Sequence, residues 1–422
     1  MRLLLGCIAD DITGASDLAL MLAAHGMPTT FCLGLPVSFP SVRTPAIVIA
    51  LKIRTVPKRD AVRQAREAAA WLLDLGADKL FYKYCSTFDS TAEGNIGPVS
   101  DALLQLVDEP LTVLAPAFPG NGRTVRAGVL YVNGVRLSES SMRNHPLTPM
   151  TQSYLPDLMD RQTAPRSTGL VSNVEIMRGA DAVTSALERL KQSGCRYAVV
   201  DTESEADLRV IAGATHALRL VTGAAGIASA IPGEYRKRGE LPDIEIDNSL
   251  PRVGGHAAVL AGSCSAATRK QVESFRSHAE SIVVDPQALF DGEVTEAELV
   301  ERASSAAGRG DVLLHSESDP EKLRAAQERI GIDASAELVE CTFGRIARRL
   351  AEDGVRKFIV AGGETSGAVA KALALSEFRI GPQIDPGVPW MYTADSPELC
   401  IAFKSGNFGA PDFFQKALEM LP

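Results

Sequence analysis

The stretch KFIVAGGETSG, residues 357–367, joins a short apolar run to glycines and hydroxyl side chains. We interpret Lys357–Val360 as a buried strand, Ala361–Gly367 as the turn that follows it, and Ala368–Leu375 as a helix. A helix start offers N–H groups without helical partners and a partial positive charge, so a turn of this kind can hold a phosphate. The stretch therefore predicts an α/β fold with an anion site where the strand ends.

The same strand, glycine turn and helix pattern occurs twice more in the second half of the chain. GSCS, residues 262–265, follows an apolar run, and KSGNFG, residues 404–409, follows another. Three such turns in one domain predict a nucleotide cradle made of backbone N–H groups. The sequence contains neither the Walker pattern GxxxxGKS/T nor the dinucleotide pattern GxGxxG.

Apolar runs alternate with helical patterns along both halves of the chain, which predicts mainly parallel sheets. We expect two α/β domains, each with a mainly parallel sheet flanked by helices, at residues 1–238 and 257–422. The stretch 231–255 has several prolines and glycines and little periodicity, so we expect a linker at residues 239–256. Asn133-Gly134 between two apolar runs predicts a β-hairpin excursion in the first domain.

Asp10 and Asp11 follow the first predicted strand, Leu3–Ala9. Ligands of open α/β sheets bind at the carboxyl ends of the strands. Two carboxylates there could orient a hydroxyl group, accept its proton or contact a metal ion. The alternative is a turn in which they cap the next helix. Residue type alone leaves both interpretations open.

The stretch YKYCSTFDSTAEGN, residues 82–95, is the most unusual part of the first half. Lys83 offers a cation to an anionic substrate, and Ser86 and Asp89 are among several groups that can hydrogen-bond a polyol. The alternative is a polar loop that caps the next helix. Asn121 and Arg123, after another predicted strand, could bind a carboxylate or could form a tight turn before the hairpin.

Composition narrows the class of partner. The 422 residues carry a formal charge of −9, from 43 basic and 52 acidic residues, which counts against nucleic acid and anionic membrane. The seven cysteines form no CxxC pair and the six histidines show no metal-binding spacing, so we expect no metal ligands in the protein. The apolar N-terminal run reaches Asp10 too early for a signal peptide, which predicts a cytoplasmic protein. Homo-oligomer formation stays open.

Several motifs together resemble the four-carbon acid sugar kinase family. ADDITGASD, residues 9–17, resembles the opening of the family, and residues 262–265, 362–366 and 404–409 resemble its later motifs in the same order. Residues 82–90 are similar to the 3-oxo-tetronate kinase branch. Threonate and erythronate kinases carry a sequence closer to KKIDSTLRGN at this place, which makes their substrates less expected here.

The resemblance implies a sugar-acid domain, a nucleotide domain, and ATP-dependent phosphorylation of the 4-hydroxyl of 3-oxo-tetronate, with Mg²⁺ neutralising the phosphates. Alternatives are a threonate or erythronate kinase, a non-catalytic sugar-acid sensor, and a nicotinamide-dependent oxidoreductase, which the missing GxGxxG pattern disfavours. The expected catalytic residues are Asp10 and Asp11. The expected substrate ligands are Lys83, Ser86, Asp89, Asn121 and Arg123. The expected ATP ligands are Ser263, Gly362, Gly363, Glu364, Thr365, Ser366 and Gly406.

Overall fold

A computed structural model of the chain describes residues 2–36, 44–145, 148–163, 167–243, 249–317, 319–393 and 398–422. The chain divides into two units, Met1–Ile246 and Asp247–Pro422. Of the expected linker, residues 244–248 lie outside the described residues. The stretch from 231 is not irregular from its beginning, as the sequence had indicated, because Ile231–Lys237 forms a helix.

The strands of the first unit run mostly side by side in one direction. They are β1 (Leu5–Ala9), β2 (Thr29–Leu33), β3 (Ala46–Ala50), β4 (Lys79–Lys83), β5 (Thr112–Ala115), β6 (Arg123–Arg126), β7 (Val129–Val132), β8 (Val135–Arg136), β9 (Thr168–Val171), β10 (Tyr197–Val200) and β11 (Leu220–Gly223). Within this unit the described strands form a parallel sheet in the order β2-β3-β1-β4-β11-β5-β10-β9.

Helices cover this sheet, which is why its central strands are apolar along their whole length. The helices are α1 (Ile12–Ala24), α2 (Lys58–Asp74), α3 (Ile96–Val107), α4 (Leu155–Gln162), α5 (Asn173–Met177), α6 (Ala180–Gln192), α7 (Glu205–Ala214), α8 (Ala225–Ala228) and α9 (Ile231–Lys237). All five residues of β1 are buried. The apolar face of α2, with Ala61, Ala65 and Leu72, belongs to the same buried cluster as Ile8.

Strands β6, β7 and β8 form a small antiparallel sheet of their own. The turn between β7 and β8 has positive φ angles at Asn133 (51°) and Gly134 (80°). These are the angles of the type I′ turn that an Asn-Gly pair favours. The predicted hairpin is therefore confirmed, and Arg123, expected in a turn, begins the additional strand β6.

The second unit has a mixed sheet. Its strands are β12 (Ala257–Ala261), β13 (Glu280–Val284), β14 (Val312–Ser316), β15 (Lys357–Ala361), β16 (Glu377–Asp385), β17 (Val388–Tyr392) and β18 (Cys400–Lys404). Their order within this unit is β13-β14-β12-β15-β18-β17-β16, and the pairs from β13 to β18 are parallel. Strands β16 and β17 form an antiparallel hairpin, of which the sequence indicated only 378–380.

Seven helices accompany this sheet in the described part of the unit. They are α10 (Ala266–Phe275), α11 (Pro286–Asp291), α12 (Glu296–Ala307), α13 (Pro320–Ile330), α14 (Ile332–Glu352), α15 (Gly363–Ala372) and α16 (Phe413–Glu419). Helix α15 starts at Gly363, five residues earlier than the sequence indicated, because the N–H of Ser366 already bonds the carbonyl of Gly362 at 2.9 Å. Most of the expected turn is thus the first helical turn.

The fold class expected from the sequence is confirmed: two α/β domains, each with a mainly parallel sheet and flanking helices, and a hairpin excursion in the first. Among the described helices, none combines the length and the apolar character that crossing a membrane requires.

Candidate functional site

Three neighbouring strands bring the first group of candidate residues together. In the first unit β1 lies between β3 and β4, and Ala9 is paired with Ala50 on one side and with Lys83 on the other. The residues after these strand ends therefore meet at one edge of the sheet, the edge where ligands of open α/β sheets bind. Asp10, Arg54 and Lys83 all lie there.

Arg54 binds three carboxylates at this edge. Its Nε and Nη2 donate to the two oxygens of Asp10 at 2.8 and 2.9 Å, and Nη2 lies 2.8 Å from Oδ1 of Asp11. Its Nη1 is 3.6 Å from Oδ2 of Asp89. Asp10 is only 3% exposed, and its burial raises the pKa of the carboxyl group while Arg54 opposes that rise. The sequence did not predict Arg54.

Asp11 caps helix α1. Its Oδ1 accepts the N–H of Gly14 at 3.1 Å, and its Oδ2 accepts the hydroxyl of Thr13 at 3.0 Å. The pKa of Asp11 is lowered, since Arg54 and Lys83 outweigh the effect of burial, which acts in the other direction. The capping interpretation is therefore confirmed for Asp11, and a role toward substrate stays a prediction.

Lys83 is a buried cation beside the start of α1. It is 3% exposed, and its Nζ lies 2.4 Å from the position that a Cβ on Gly14 would take. Within the described ranges its ammonium group has no hydrogen bond and no carboxylate within 4 Å. The carboxylates of Asp10, Asp11 and Asp17 act on this charge only from beyond 4 Å, so an anion that bound in closer contact would be favoured.

Asp17 is a further carboxylate of this region, which the sequence did not predict as a site residue. It lies three positions after Gly14 and hence on the same face of α1. Its Oδ1 is buried and has no hydrogen-bond partner among the residues described. Burial raises the pKa of Asp17 to about 6, Lys83 acts against this shift and Asp11 adds to it. Its presence in ADDITGASD was the signal available in the sequence.

The loop after β4 carries Ser86 and Asp89 into the same region. The hydroxyl of Thr87 donates to Oδ1 of Asp89 at 2.6 Å. Phe88 between them is fully buried with φ of 60°, a conformation that is unfavourable for an aromatic residue and often marks a functional loop. The hydroxyl of Ser86 has no partner in the described part of the chain, so it is available to a ligand.

Asn95 fixes the backbone that carries Arg54. Its Nδ2 donates to the carbonyls of Ile53, Arg54 and Val56 at 2.9, 3.3 and 2.8 Å. This contact ties the end of the Lys83–Asn95 loop to the segment after β3. The loop therefore has a structural role, but not the alternative one of capping the next helix, because Asn95 at the start of α3 makes no side-chain cap hydrogen bond.

Asn121 and Arg123 lie elsewhere on the sheet edge. They follow β5, which β11 separates from β4, so the two strand ends are about 10 Å apart. Arg123 donates to the carbonyl of Asn121, and its Nε is buried without a partner among the described groups. Within the described ranges neither residue forms a hydrogen bond or an ion pair with Arg54 or Lys83.

In the second unit, the three predicted turns meet. They follow β12, β15 and β18, which are neighbours in that order. The N–H of Ser263 bonds the carbonyl of Ala361 at 3.1 Å, and the N–H of Gly362 bonds that of Lys404 at 2.8 Å. The hydroxyl of Ser265 donates to the carbonyl of Gly406 at 2.5 Å. The turns are thus joined into one structure at the carboxyl edge of the sheet.

The structure requires glycine at Gly362 and at Gly406 for different reasons, whereas Gly363 leaves space open. Gly362 has φ of 128°, which side chains with a Cβ rarely adopt. Gly363 has ordinary helical geometry, but no atom lies within 4 Å of the place of a Cβ there. A side chain at Gly363 would therefore project into open space, whereas one at Gly406 would meet the hydroxyl of Ser263 at 2.3 Å.

A cavity of about 350 Å³ opens in front of two of the turns. Of the predicted ATP ligands, those that line it are Ser263, Gly362, Gly363, Glu364 and Thr365. Ser366 is buried, and its hydroxyl donates to the carbonyl of Gly362 at 2.7 Å, so its position is structural. The far wall is largely apolar, with Leu323, Ile332 and Val339.

The described residues limit two other chemistries. Cys264 lines the cavity, but burial raises the pKa of its thiol and its Sγ donates to a carbonyl at 3.5 Å, which does not favour a nucleophile. No group of three or more His, Cys, Asp or Glu residues among those described is arranged to hold a metal ion.

Two family models cover most of the chain. A model described as a sugar-binding N-terminal domain matches residues 5–231, and a model described as a nucleotide-binding C-terminal domain matches residues 258–414. These ranges contain the charged edge of the first unit and the three turns of the second.

Curated relatives match along the whole length. A 3-oxo-tetronate kinase of Burkholderia multivorans is 48% identical over 100% of this chain and 98% of its own. One of Pseudomonas fluorescens is 46% identical over 100% and 97%. A crystal structure of a Salmonella typhimurium protein matches with a TM-score of 0.89 and 41% identity over 100% of both chains.

Proposed function

Since the chain belongs to the family that joins a sugar-binding N-terminal domain to a nucleotide-binding C-terminal domain, we propose that it is an ATP-dependent 3-oxo-tetronate kinase. It is a phosphotransferase that converts the 4-hydroxyl of 3-oxo-tetronate to the 4-phosphate. Full-length relatives of that name support this substrate. In this proposal residues 1–238 bind the sugar acid, 239–256 link the domains and 257–422 bind ATP.

The observation that carries the proposal is the buried ammonium group of Lys83. A cation that is 3% exposed and has no anion within 4 Å in the described ranges suits the carboxylate of a small sugar acid. Ser86 and Asp89 lie on the adjoining loop and supply hydrogen bonds to hydroxyl or keto oxygens. Arg54 keeps Asp10, Asp11 and Asp89 in place around the ligand.

Among the carboxylates, we assign proton acceptance to Asp17. Both oxygens of Asp10 accept from Arg54, and both oxygens of Asp11 accept from the start of α1. Oδ1 of Asp17 has no partner in the described residues, and its pKa of about 6 suits a base at neutral pH. Asp10 and Asp11 stay candidates for orienting the hydroxyl group.

The proposed step is an in-line phosphoryl transfer. The proton of the 4-hydroxyl passes to Asp17 as the bond from O4 to the γ-phosphorus forms. The bond from that phosphorus to the β–γ bridging oxygen breaks, and ADP carries away that oxygen. The protein forms no covalent bond to the phosphoryl group in this step. Much of the rate acceleration would therefore come from holding the 4-hydroxyl and the γ-phosphate in line.

In the second unit we propose that the phosphates lie against the turns at Ser263, Gly362 and Gly363, and that the base lies against the apolar wall near Leu323 and Ile332. N–H groups in the first turn of α15 replace the missing Walker lysine as phosphate ligands. Glu364 and Ser263, which line the cavity beside the turns, offer oxygen atoms that would suit Mg²⁺. In proteins this ion is commonly bound by one or two carboxylates together with the substrate phosphates, and it would neutralise phosphate charge.

A kinase screen tests the proposal. Full-length protein is incubated with ATP and Mg²⁺ and with 3-oxo-tetronate, threonate or erythronate, and ADP release is measured by a coupled assay. We expect the highest kcat/KM with 3-oxo-tetronate, and NMR of the product should show the phosphate ester at O4. A higher kcat/KM with threonate or erythronate would contradict the proposed substrate and would assign the protein to another branch of the family.

Two further outcomes would overturn kinase activity itself. A sugar-acid sensor would bind 3-oxo-tetronate without releasing ADP. A nicotinamide-dependent enzyme would show a melting temperature raised by NAD and unchanged by ATP, since a ligand of the folded state stabilises it. A cytoplasmic location and homo-oligomer formation stay predictions of the sequence.

A further inference from the structure

Lys404 is a fully buried lysine at the end of β18, directly under the third turn. Its three ammonium hydrogens have three acceptors. Nζ lies 3.1 Å from the hydroxyl of Thr268, 3.0 Å from the carbonyl of Ser405 and 3.2 Å from that of Gly406. No carboxylate lies within 4 Å of it among the described residues.

Three hydrogen bonds, rather than one, fix the carbonyl group of Gly406. It accepts from the hydroxyl of Ser265 at 2.5 Å and from that of Thr268 at 2.9 Å, as well as from Lys404. Gln271 of α10 donates to the carbonyls of residues 408, 409 and 410, each at 3.0 Å. The turn is therefore fixed through its carbonyl groups.

Fixed carbonyls also fix N–H directions. In a trans peptide unit the N–H points opposite to the carbonyl, so the N–H groups of Gly406 and Asn407 point away from Lys404. Neither has an acceptor within the described part of the chain. Gly406 packs against Ser263, which lines the cavity in front of the other two turns.

We propose that Lys404 is a positioning residue for nucleotide phosphate: it holds the 405–407 turn so that two backbone N–H groups are presented to the phosphate. The inference rests on the proposed nucleotide site. The positive charge of Lys404 also contributes directly. A phosphate bound at the 405–407 turn would stabilise the protonated form of this lysine. A Walker lysine contacts phosphate with its side chain, whereas Lys404 acts through the backbone.

Among the described residues, the groups that face Lys404 are uncharged. They are Thr268 from α10, the ring of Phe413 from α16 at 6.0 Å, and Ala361 of the paired strand. Burial alone lowers the pKa of Lys404 to about 7. The neutral amine has two hydrogens for three acceptors, so deprotonation loosens the turn. Phosphate affinity should fall as pH rises above about 7, and phosphate binding should take up a proton.

The test is calorimetric titration of the full-length protein with ADP and, separately, with inorganic tripolyphosphate, in pH 7.5 buffers of different ionisation enthalpy. Lys404→Met removes the ammonium group, and Lys371→Met, an exposed lysine of α15, is the matched control. We expect the Lys404→Met variant to bind both probes at least 10-fold more weakly and to lose the wild-type proton uptake. Lys371→Met should keep both.

A second variant keeps the proposal testable if Lys404→Met does not fold. Thr268→Val keeps the ammonium group but removes one hydroxyl from Gly406, and we expect ADP binding weakened about 3- to 5-fold. Unchanged affinity and proton uptake in both variants would overturn the role of Lys404 and leave the ATP site standing. Wild-type binding of tripolyphosphate that depends on Lys404, without any binding of ADP, would instead overturn the kinase proposal alone.

Discussion

The two units present their candidate ligand groups at the same edge of a parallel sheet but use different chemistry. In the first unit the groups are charged side chains, with Arg54 and Lys83 among four aspartates. In the second they are backbone groups in glycine turns, beside a cavity with a largely apolar wall. Both arrangements follow from strands whose carboxyl ends lie side by side.

The difference teaches where to look for a ligand. Burying a charge is unfavourable unless it is closely paired, so the buried Lys83, which has no carboxylate within 4 Å among the described residues, points to an anionic ligand. Backbone N–H groups carry no such signal, and their site is recognised by the space that glycines leave open. Charge-removing substitutions should therefore damage the first site, and added side chains the second.

The largest effect is expected for Asp17→Asn. Loss of the proton acceptor should lower kcat about 10²- to 10⁴-fold with little change in the KM for ATP. Asp10→Asn and Asp11→Asn, measured beside it in the coupled assay, test whether either of them is the base instead. Near-normal kcat in Asp17→Asn would remove Asp17 from this role.

The same substitution should stabilise the folded protein. Because the pKa of Asp17 rises from 3.8 to about 6 on folding, the folded state binds this proton more tightly, and stability decreases as pH rises from about 4 to about 6. Above pH 6 the loss is complete and amounts to up to about 3 kcal/mol. Asp17→Asn should therefore raise the melting temperature at pH 8 and change it little at pH 4. Equal shifts at both pH values would contradict this.

Arg54→Met is expected to have the next largest effect. It leaves the buried carboxylate of Asp10 without its partner, which should lower the free energy of unfolding by about 3 kcal/mol and abolish sugar-acid binding. Urea unfolding measures the first effect. Arg63→Met, whose exposed pairs with Asp60 and Glu67 contribute little, is the control. Equal losses in the free energy of unfolding in both variants would show that Arg54 contributes no more to stability than an exposed ion pair.

Gly363→Val tests the second unit by adding a side chain where the structure has open space. We expect the KM for ATP to rise about 30-fold, equivalent to about 2 kcal/mol, with the sugar-acid KM unchanged. Gly363→Ala should give a smaller rise in the same direction. Gly310→Val, at another open position of this unit, should have no effect on either KM. An unchanged ATP KM in Gly363→Val would show that ATP binds elsewhere.

Ser86→Ala is the smallest effect of the series. It removes one neutral hydroxyl without a protein partner in the described residues, so the sugar-acid KM should rise about 3- to 10-fold and stability should not change. Ser185→Ala on the exposed face of α6 is the control. A loss of stability in Ser86→Ala would point to a structural role.

Local sequence patterns predicted much of the fold because they report local physics. Alternating strand and helix patterns predicted the parallel sheets, and Asn133-Gly134 predicted the hairpin turn. The sequence pattern does not predict the helix from Ile231, because Pro232 resembles a linker signal, although proline suits the first helical turn. The β16–β17 hairpin was missed because irregular register around Gly381 and Pro382 disturbs its alternation.

The candidate site was less predictable because it depends on strand order. Arg54 contacts Asp10, which is 44 residues away in the sequence. The alternation of strands and helices does not predict that β1 lies between β3 and β4, so this contact could not be predicted. Asp17 stood in a quoted motif, but its importance is visible only once the structure leaves Oδ1 buried without a partner in the described residues. The three glycine turns were predicted because each is a local pattern.

Equilibrium binding tests the division of labour between the units most directly. Wild-type protein, Lys83→Met and Gly363→Val are each titrated with 3-oxo-tetronate and with a non-hydrolysable ATP analogue. We expect Lys83→Met to lose sugar-acid binding and keep the nucleotide, and Gly363→Val to do the reverse. Loss of nucleotide binding in Lys83→Met, or of sugar-acid binding in Gly363→Val, would contradict the assignment.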